Sequence, residues 1–328
     1  MAVNAIPKEF VWRRLHSLMG LWMVLFLMEH LLTNSQAALL LGENGQGFVR
    51  MVNWLHNLPY LPFIEGFLLG VPFLIHMVWG VRYLLMAKGN SRLSDGTKPS
   101  LQYGRNRAYS WQRITSWILL LGIIGHVAKF RFIDYPTSVQ QGASKVYFIP
   151  VSIDNGLYSV ADRLGVTLYN AQQLTALRSE LSFSSNEESL IEAVRSFPQD
   201  HEFDEQKQMI VIAAQQFEEK HAWIEAITRY PIGPDRMVAE APDFGTATLL
   251  AVRDTFKSPI YAVLYTIFVL AASFHAFNGF WTFLITWGVI LNVAAQRKMS
   301  RFAWGVMGLI ALFGLVAIWG TYWLNLKN

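Results

Sequence analysis

Five long apolar stretches, separated by polar and charged segments, dominate the pattern of this chain: Leu18–Leu41, Phe63–Ala87, Trp111–Phe130, Ile260–Val293 and Phe302–Leu324. Crossing a bilayer takes about 20 helical residues. A spanning segment must be helical, because neither an open sheet edge nor an irregular loop is stable against lipid. Trp12, Trp54, Tyr60, Trp111, Tyr261 and Trp323 fall near the expected boundaries, where an aromatic belt belongs. Between the third and fourth stretches the pattern changes. Helical periodicity appears over Leu181–Phe197 and over Glu205–Tyr230, the latter with Ile210, Ala213, Ala214, Phe217 and Ile224 near one face. Pro136, Pro150, Pro198, Pro231, Pro234 and Pro242 punctuate this segment. The expected fold is an all-α membrane protein, a bundle of five transmembrane helices with a mainly helical insert. Its segments are residues 1–130 (spans one to three), 131–257 (the insert) and 258–328 (spans four and five).

Charge orients this scheme. Lys8, Arg13 and Arg14 precede span one; Lys88, Arg92, Lys98, Arg105, Arg107 and Arg113 lie between or flank spans two and three; Arg297, Lys298 and Arg301 separate spans four and five. Lys and Arg in short loops mark the cytoplasmic side, so the N-terminus is expected inside. The C-terminus and the insert are then extracytoplasmic. The short loop on that side carries only Arg50, and the tail Lys327. The insert holds 18 acidic and 11 basic residues, a net charge of −7 against +11 for the remainder. No phosphate loop or metal-ligand spacing occurs in it, and His201 and His221 read as surface histidines. The first apolar run is too long for a secretory signal, and cleavage after Ala38 would discard His16 and His30. With no cysteine among 328 residues, disulfides, thiolate-bound clusters and covalent c-type haem are excluded.

The apolar stretches contain the candidate chemistry. His30, His76, His126 and His275 lie one apiece in four of the five stretches. An imidazole in hydrocarbon is costly, so a histidine there is functional by default. The bland alternative is polar glue between helices. Four such histidines match the four axial ligands of two bis-histidine haems. At 1.5 Å rise per residue, His126 lies near the outer surface and His275 deepest. His30 and His76 fall between, and depth does not separate them, so His30 with His126 and His76 with His275 is one pairing that geometry allows.

Other residues carry weaker signals. Glu29, beside His30, points about 100° away from it on a helix. Glu65 starts span two at the outer interface, and His56 sits in the short outer loop. All three are candidates for a quinone site, against readings of Glu65 as a snorkelling residue and His56 as an exposed loop histidine. Arg82, Arg13, Arg14 and Arg113 are candidate partners for haem propionates, which need a cation in low dielectric, although each also serves as a topology marker. His16, after two arginines, is a ligand-site candidate or a solvated residue.

Several blocks resemble a known family. Arg13-Arg14-Leu15-His16-Ser17-Leu18-Met19-Gly20 with Glu29-His30-Leu31 is similar to the start of the cytochrome b subunit of succinate dehydrogenase. The nearest likeness is to the single-polypeptide, dihaem anchors (cytochrome b558-like) of succinate:menaquinone and fumarate reductases. The likeness continues in Asn57-Leu58-Pro59, in Pro72-Phe73-Leu74-Ile75-His76 with Gly80, and in Gln112-Arg113-Ile114-Thr115 followed by His126-Val127. Phe274-His275-Ala276-Phe277-Asn278-Gly279-Phe280-Trp281 with Thr286-Trp287-Gly288 is the most specific block. The resemblance implies two haem b groups, with His76 and His275 holding the one nearer the cytoplasm and His30 and His126 the outer one. It implies a flavoprotein subunit and an iron–sulfur subunit as partners, electron transfer to menaquinone or another quinone, and residence in the cytoplasmic membrane of a bacterium. Two departures stand out. The link between spans three and four is longer than in these relatives, and Ser273 stands where some fumarate reductases carry a glutamate assigned to a proton route, which favours the succinate-oxidising direction.

No nucleophile, triad or hydrolytic metal motif is present, so no catalytic residue is expected and the chain alone should oxidise no succinate. Nothing indicates a nucleic-acid partner; membrane lipid is the expected surrounding. One alternative is the cytochrome b subunit of another respiratory complex, a formate dehydrogenase or hydrogenase. Another is a non-redox anchor or transporter whose histidines relay protons. A b-type absorption spectrum and the identity of co-purifying subunits separate the three.

Overall fold

The computed structural model describes residues 6–38, 45–86, 104–182 and 205–327. Most of the expected helical stretch 181–197 falls outside them, as do Lys88, Arg92, Lys98 and His201. Five helices are long and apolar enough to cross a membrane, the number expected. The protein is an all-α membrane protein in its apolar part. In chain order come α1 (Lys8–Ser35), α2 (Gln46–His56), α3 (Leu61–Met86) and α4 (Gly104–Val127), the last continued by a π-turn over Ala128–Ile133. Next are strands β1 (Thr137–Gln141) and β2 (Ser144–Ser152), α5 (Leu157–Leu164), β3 (Thr167–Tyr169), α6 (Ala171–Ser182), α7 (Glu205–Thr228), β4 (Arg236–Ala241) and α8 (Phe244–Thr255). Helices α9 (Pro259–Thr286) and α10 (Val293–Leu326) complete the chain. Two compact units result, Met1–Ala128 with Phe256–Leu324, and Lys129–Thr255 with Asn325–Asn328.

In the first unit α9 packs against α1, α4 and α10, and α1 packs also against α3 and α10. Small residues permit the close approach. Gly122 of α4 lies directly under the Phe268 ring of α9, and a Cβ on Gly314 would stand 2.5 Å from Val269 and 3.4 Å from Leu31. In lipid such contacts substitute for the missing hydrophobic drive.

Several span boundaries differ from expectation. Span one is the helix Lys8–Ser35 rather than Leu18–Leu41, which puts Lys8, Arg13 and Arg14 on its first two turns and not before it. The helix of span three starts at Gly104 rather than Trp111. The two boundaries between spans four and five shift for one reason. Span four ends at Thr286 rather than Val293, because Gly288 adopts φ +71° and closes the helix. Val289 N–H donates to the Leu284 carbonyl (2.9 Å) and Gly288 N–H to the Ile285 carbonyl (3.1 Å), the paired bonds of a Schellman cap. Asn292 then caps α10, its side chain accepting from Ala295 N–H at 2.7 Å. Arg297, Lys298 and Arg301 consequently lie on the first turns of α10 and not in a loop between spans. The segment after span one, read as a short loop, contains α2, with Phe48 and Val49 buried.

The second unit holds a sheet that the sequence reading did not include. Its four antiparallel strands are ordered β1-β2-β4-β3, with Phe148 opposite Glu240 and Leu168 opposite Ala239. On one face Phe148 and Val238 pack with Leu174 of α6 and Ala226 and Ile227 of α7. The opposite face of β2 meets α8, where the Tyr147 ring lies 5.8 Å from Phe244. Helix α7 realises the expected amphipathic run, burying Ala214 and Ile224. A bidentate ion pair of Arg253 with Asp154 (2.8 and 2.7 Å) ties α8 to the turn after β2. Tyr169 donates to Glu240 at 3.0 Å; burial first, and that carboxylate second, push its hydroxyl up to about 12.

Candidate functional site

The four intramembrane histidines meet as two pairs. His30 of α1 faces His126 of α4 with ring centroids 5.8 Å apart, and His76 of α3 faces His275 of α9 at 6.2 Å. Ring planes within each pair are close to perpendicular, at 89° and 80°. A metal ion bonded at about 2 Å to one nitrogen of each of two imidazoles holds the ring centroids about 6 Å apart. Both spacings therefore suit a single ion between the rings. Among the described residues no group of three or more His, Asp or Glu side chains could hold a metal ion, and each histidine pair offers two imidazoles. That is the donor chemistry of bis-histidine haem.

Hydrogen bonds orient the rings, a feature of metal-ligating histidines generally. His76 Nδ1–H donates to the main-chain carbonyl of His16 at 3.1 Å, which leaves Nε2 with its lone pair. His275 Nδ1 meets Thr115 Oγ1 at 3.3 Å. The Thr115 hydroxyl already donates its one proton to the Trp111 carbonyl at 2.8 Å, so toward His275 it accepts, and there too Nε2 is left open. His126 Nδ1 shares a hydrogen bond with the Tyr265 hydroxyl at 3.2 Å. His30 stacks on Phe26, centroids 5.3 Å apart. Gln112 joins α4 to α9, donating to the His275 carbonyl (3.1 Å) and accepting from Asn278 Nδ2 (2.8 Å).

A fifth histidine enters the picture. The His16 ring stacks on His76 with centroids 4.1 Å apart and planes 11° from parallel. The His76 ring lies against Gly20, ten residues before His30 on the same helix, so the two pairs sit at levels separated by about 15 Å of helix rise.

The remaining candidates are dispersed. Arg82 pairs with Glu9 at 3.5 Å and lies 4.6 Å over the Trp79 ring. Arg14 lies over Phe10 (3.6 Å) and faces Trp287 (5.8 Å); Arg113 lies 5.9 Å over Tyr109, two residues before Thr115; Arg13 is exposed. Glu29 accepts from the buried Thr33 hydroxyl at 2.8 Å within its own helix. Glu65 opens the π-turn Glu65–Gly70 in α3, and His56 ends α2. That π-turn presents the Leu68 carbonyl to the Trp22 indole of α1 at 2.5 Å. A shallow cleft between α9 and α10, lined by Phe274, Phe277, Trp281, Trp304 and Met307, includes none of the histidines.

Thr115, Tyr265 and the His16 carbonyl escaped the sequence reading as supports of the histidines. Thr115 stands within a motif block and is buried in a span, a signal that a polar partner lies opposite. Tyr265, ten residues before His275, gives no such local sign.

A curated protein matches this chain: the succinate dehydrogenase cytochrome b558 subunit of Bacillus subtilis (strain 168) is 29% identical over 178 residues, 49% of this chain and 83% of that protein. No family model matches. No solved structure matches. This named relative supports the likeness at the level of the family, and the match leaves half of this chain outside it.

Proposed function

We propose, from this likeness and from the histidine geometry, that the chain is a dihaem cytochrome b membrane subunit of a succinate dehydrogenase. The observation that carries the reading is the meeting of four histidines from four helices as two pairs at 5.8 and 6.2 Å. His76 and His275 hold the haem nearer the cytoplasm, and His30 and His126 the outer one. Haem b, when bound, supplies a one-electron carrier between an iron–sulfur subunit and menaquinone or another quinone. The chain's own residues position and insulate it. The His16 carbonyl and the Thr115 hydroxyl hold His76 and His275 as Nε2 ligands. The surrounding apolar helices exclude water, which lowers the local dielectric. Arg13, Arg14, Arg82 and Arg113 are the cations available to propionates, and Glu29, Glu65 and His56 the groups available to a quinone and its protons.

The partners are a flavoprotein subunit, which oxidises succinate, and an iron–sulfur subunit docked on the basic cytoplasmic face. In this reading the N-terminus is cytoplasmic, while the insert and C-terminus lie outside. Purification from the membrane tests the reading. Two haem b per chain with co-purifying flavin and iron–sulfur subunits is the expected result. Absence of b-type absorption would reject it, and co-purification with a formate dehydrogenase or hydrogenase would reassign the complex.

A further inference from the structure

Gly20 and the carbonyl of His16 together form a seat for His76. In a helix the carbonyl of residue 16 accepts the N–H of residue 20, and its second lone pair takes the His76 Nδ1–H at 3.1 Å. For the ring to reach that carbonyl it must lie against α1 at residue 20. A Cβ there would stand 2.9 Å from His76 Cε1 and 3.1 Å from Nδ1, closer than a side chain tolerates. The contact is reciprocal: the His16 ring, stacked on His76, passes Gly80 of α3, where a Cβ would be 3.6 Å from His16 Cε1. His16 and Gly20 on α1, and His76 and Gly80 on α3, have the same four-residue spacing. The two seats differ in slack, since 3.6 Å is ordinary van der Waals contact and 2.9 Å is not.

We propose that Gly20 is a positioning residue for the inner haem, its missing side chain letting His76 bond the His16 carbonyl and present Nε2 to iron. The inference rests on the assignment of His76 as an axial ligand. The obstacle that Gly20→Ala creates meets the far end of a side chain, not a backbone, so the ring is displaced while the helices stay packed. A ring that loses its Nδ1–H bond to a carbonyl donates less electron density to iron, which raises the midpoint potential.

The test uses the whole complex in membranes, with Gly20→Ala and Gly80→Ala compared. For Gly20→Ala the expected result is loss of the inner haem, or its retention with a raised midpoint potential and an altered low-spin EPR signal, the outer haem being unchanged. Gly80→Ala should leave both haems as they were. Native inner-haem potential and EPR signal in Gly20→Ala would overturn the proposal; so would an equal effect of Gly80→Ala, which would point to helix packing alone. If Gly20→Ala does not assemble, nuclear double resonance on the native inner haem decides. An exchangeable, hydrogen-bonded proton on the remote nitrogen of His76 supports the seat, and its absence overturns it. His76→Ala separates the two levels of inference. Two unaltered haems in that variant would reject the ligand assignment itself, whereas loss of the inner haem there with a native Gly20→Ala would reject only the role of Gly20.

Discussion

Histidines in the membrane unit and ion pairs in the insert are both polar groups withdrawn from water, yet they carry different information. In the membrane unit the polar side chains are few, each costly in hydrocarbon, and four of them converge pairwise across helices. In the insert, 18 acidic and 11 basic residues are available. Among the described ones Arg253 is neutralised by Asp154, and Glu240 accepts from the Tyr169 hydroxyl. A polar residue points to function in proportion to what its placement costs and to how little of that cost its protein neighbours recover. By that measure the stacked rings of His16 and His76, withdrawn among apolar helices, belong with the chemistry, while the Arg253–Asp154 pair belongs with the fold.

A crossed pair of substitutions puts the largest effect on this contrast. His275→Ala should remove the inner haem and abolish succinate-to-quinone electron flow, with the insert still folded. Phe148→Ala, in the fully buried centre of the sheet, should cost the insert about 3–5 kcal/mol and leave two haems bound. Haem content and protease resistance of the insert are the two measurements. Two full haem equivalents in His275→Ala, or loss of both haems in Phe148→Ala, would erase the distinction between the units.

The contrast also explains what could be read from the chain. Spans are legible because about 20 apolar residues have few other uses, and the histidine positions because they interrupt that run. The end of span four and the start of span five are less so: Val289 and Val293 continue the apolar run, and only the left-handed Gly288 stops the helix. The sheet was obscured by its own burial. Strand β2, Val146-Tyr147-Phe148-Ile149-Pro150-Val151, is covered on both faces, so it lacks the alternation that marks a half-exposed strand. Pro150 adds a signal against a central strand, although the strand lies between β1 and β4. Pairing of the histidines needed the third dimension, since depth along a helix left His30 and His76 interchangeable. The His16 seat needed the path of a backbone carbonyl, which no side-chain pattern records.

A smaller effect is expected where the insert does bury a charge. Arg253 is 9% exposed and makes both of its guanidinium contacts to Asp154. Arg253→Ala removes both of those bonds from a carboxylate that also accepts from the Gly156 N–H at 2.8 Å, at a cost of about 3 kcal/mol. Chemical denaturation of the insert, followed by near-ultraviolet signals, should show the loss without change in haem spectra. An unaffected midpoint would mean that water already screens the pair.

The smallest effect is expected at a charge that sequence position alone recommends for chemistry. Arg82 lies six residues after His76, a spacing that recommends it as the cation for a propionate of the haem proposed at His76. In the structure it spans outward instead, to Glu9 at 3.5 Å and across the Trp79 ring, with the two charged side chains 47% and 58% exposed. An exposed ion pair of this kind contributes about 0–1 kcal/mol, and salt weakens it further. Arg82→Gln should therefore leave haem content and the inner potential unchanged and lower stability by at most about 1 kcal/mol. Its effect should fade as ionic strength rises. A displaced inner potential that persists at high salt would give Arg82 the propionate, because a pair shielded from solvent is screened far less than one on the surface. Arg82 would then share with the histidines the mark of a polar group placed at a cost.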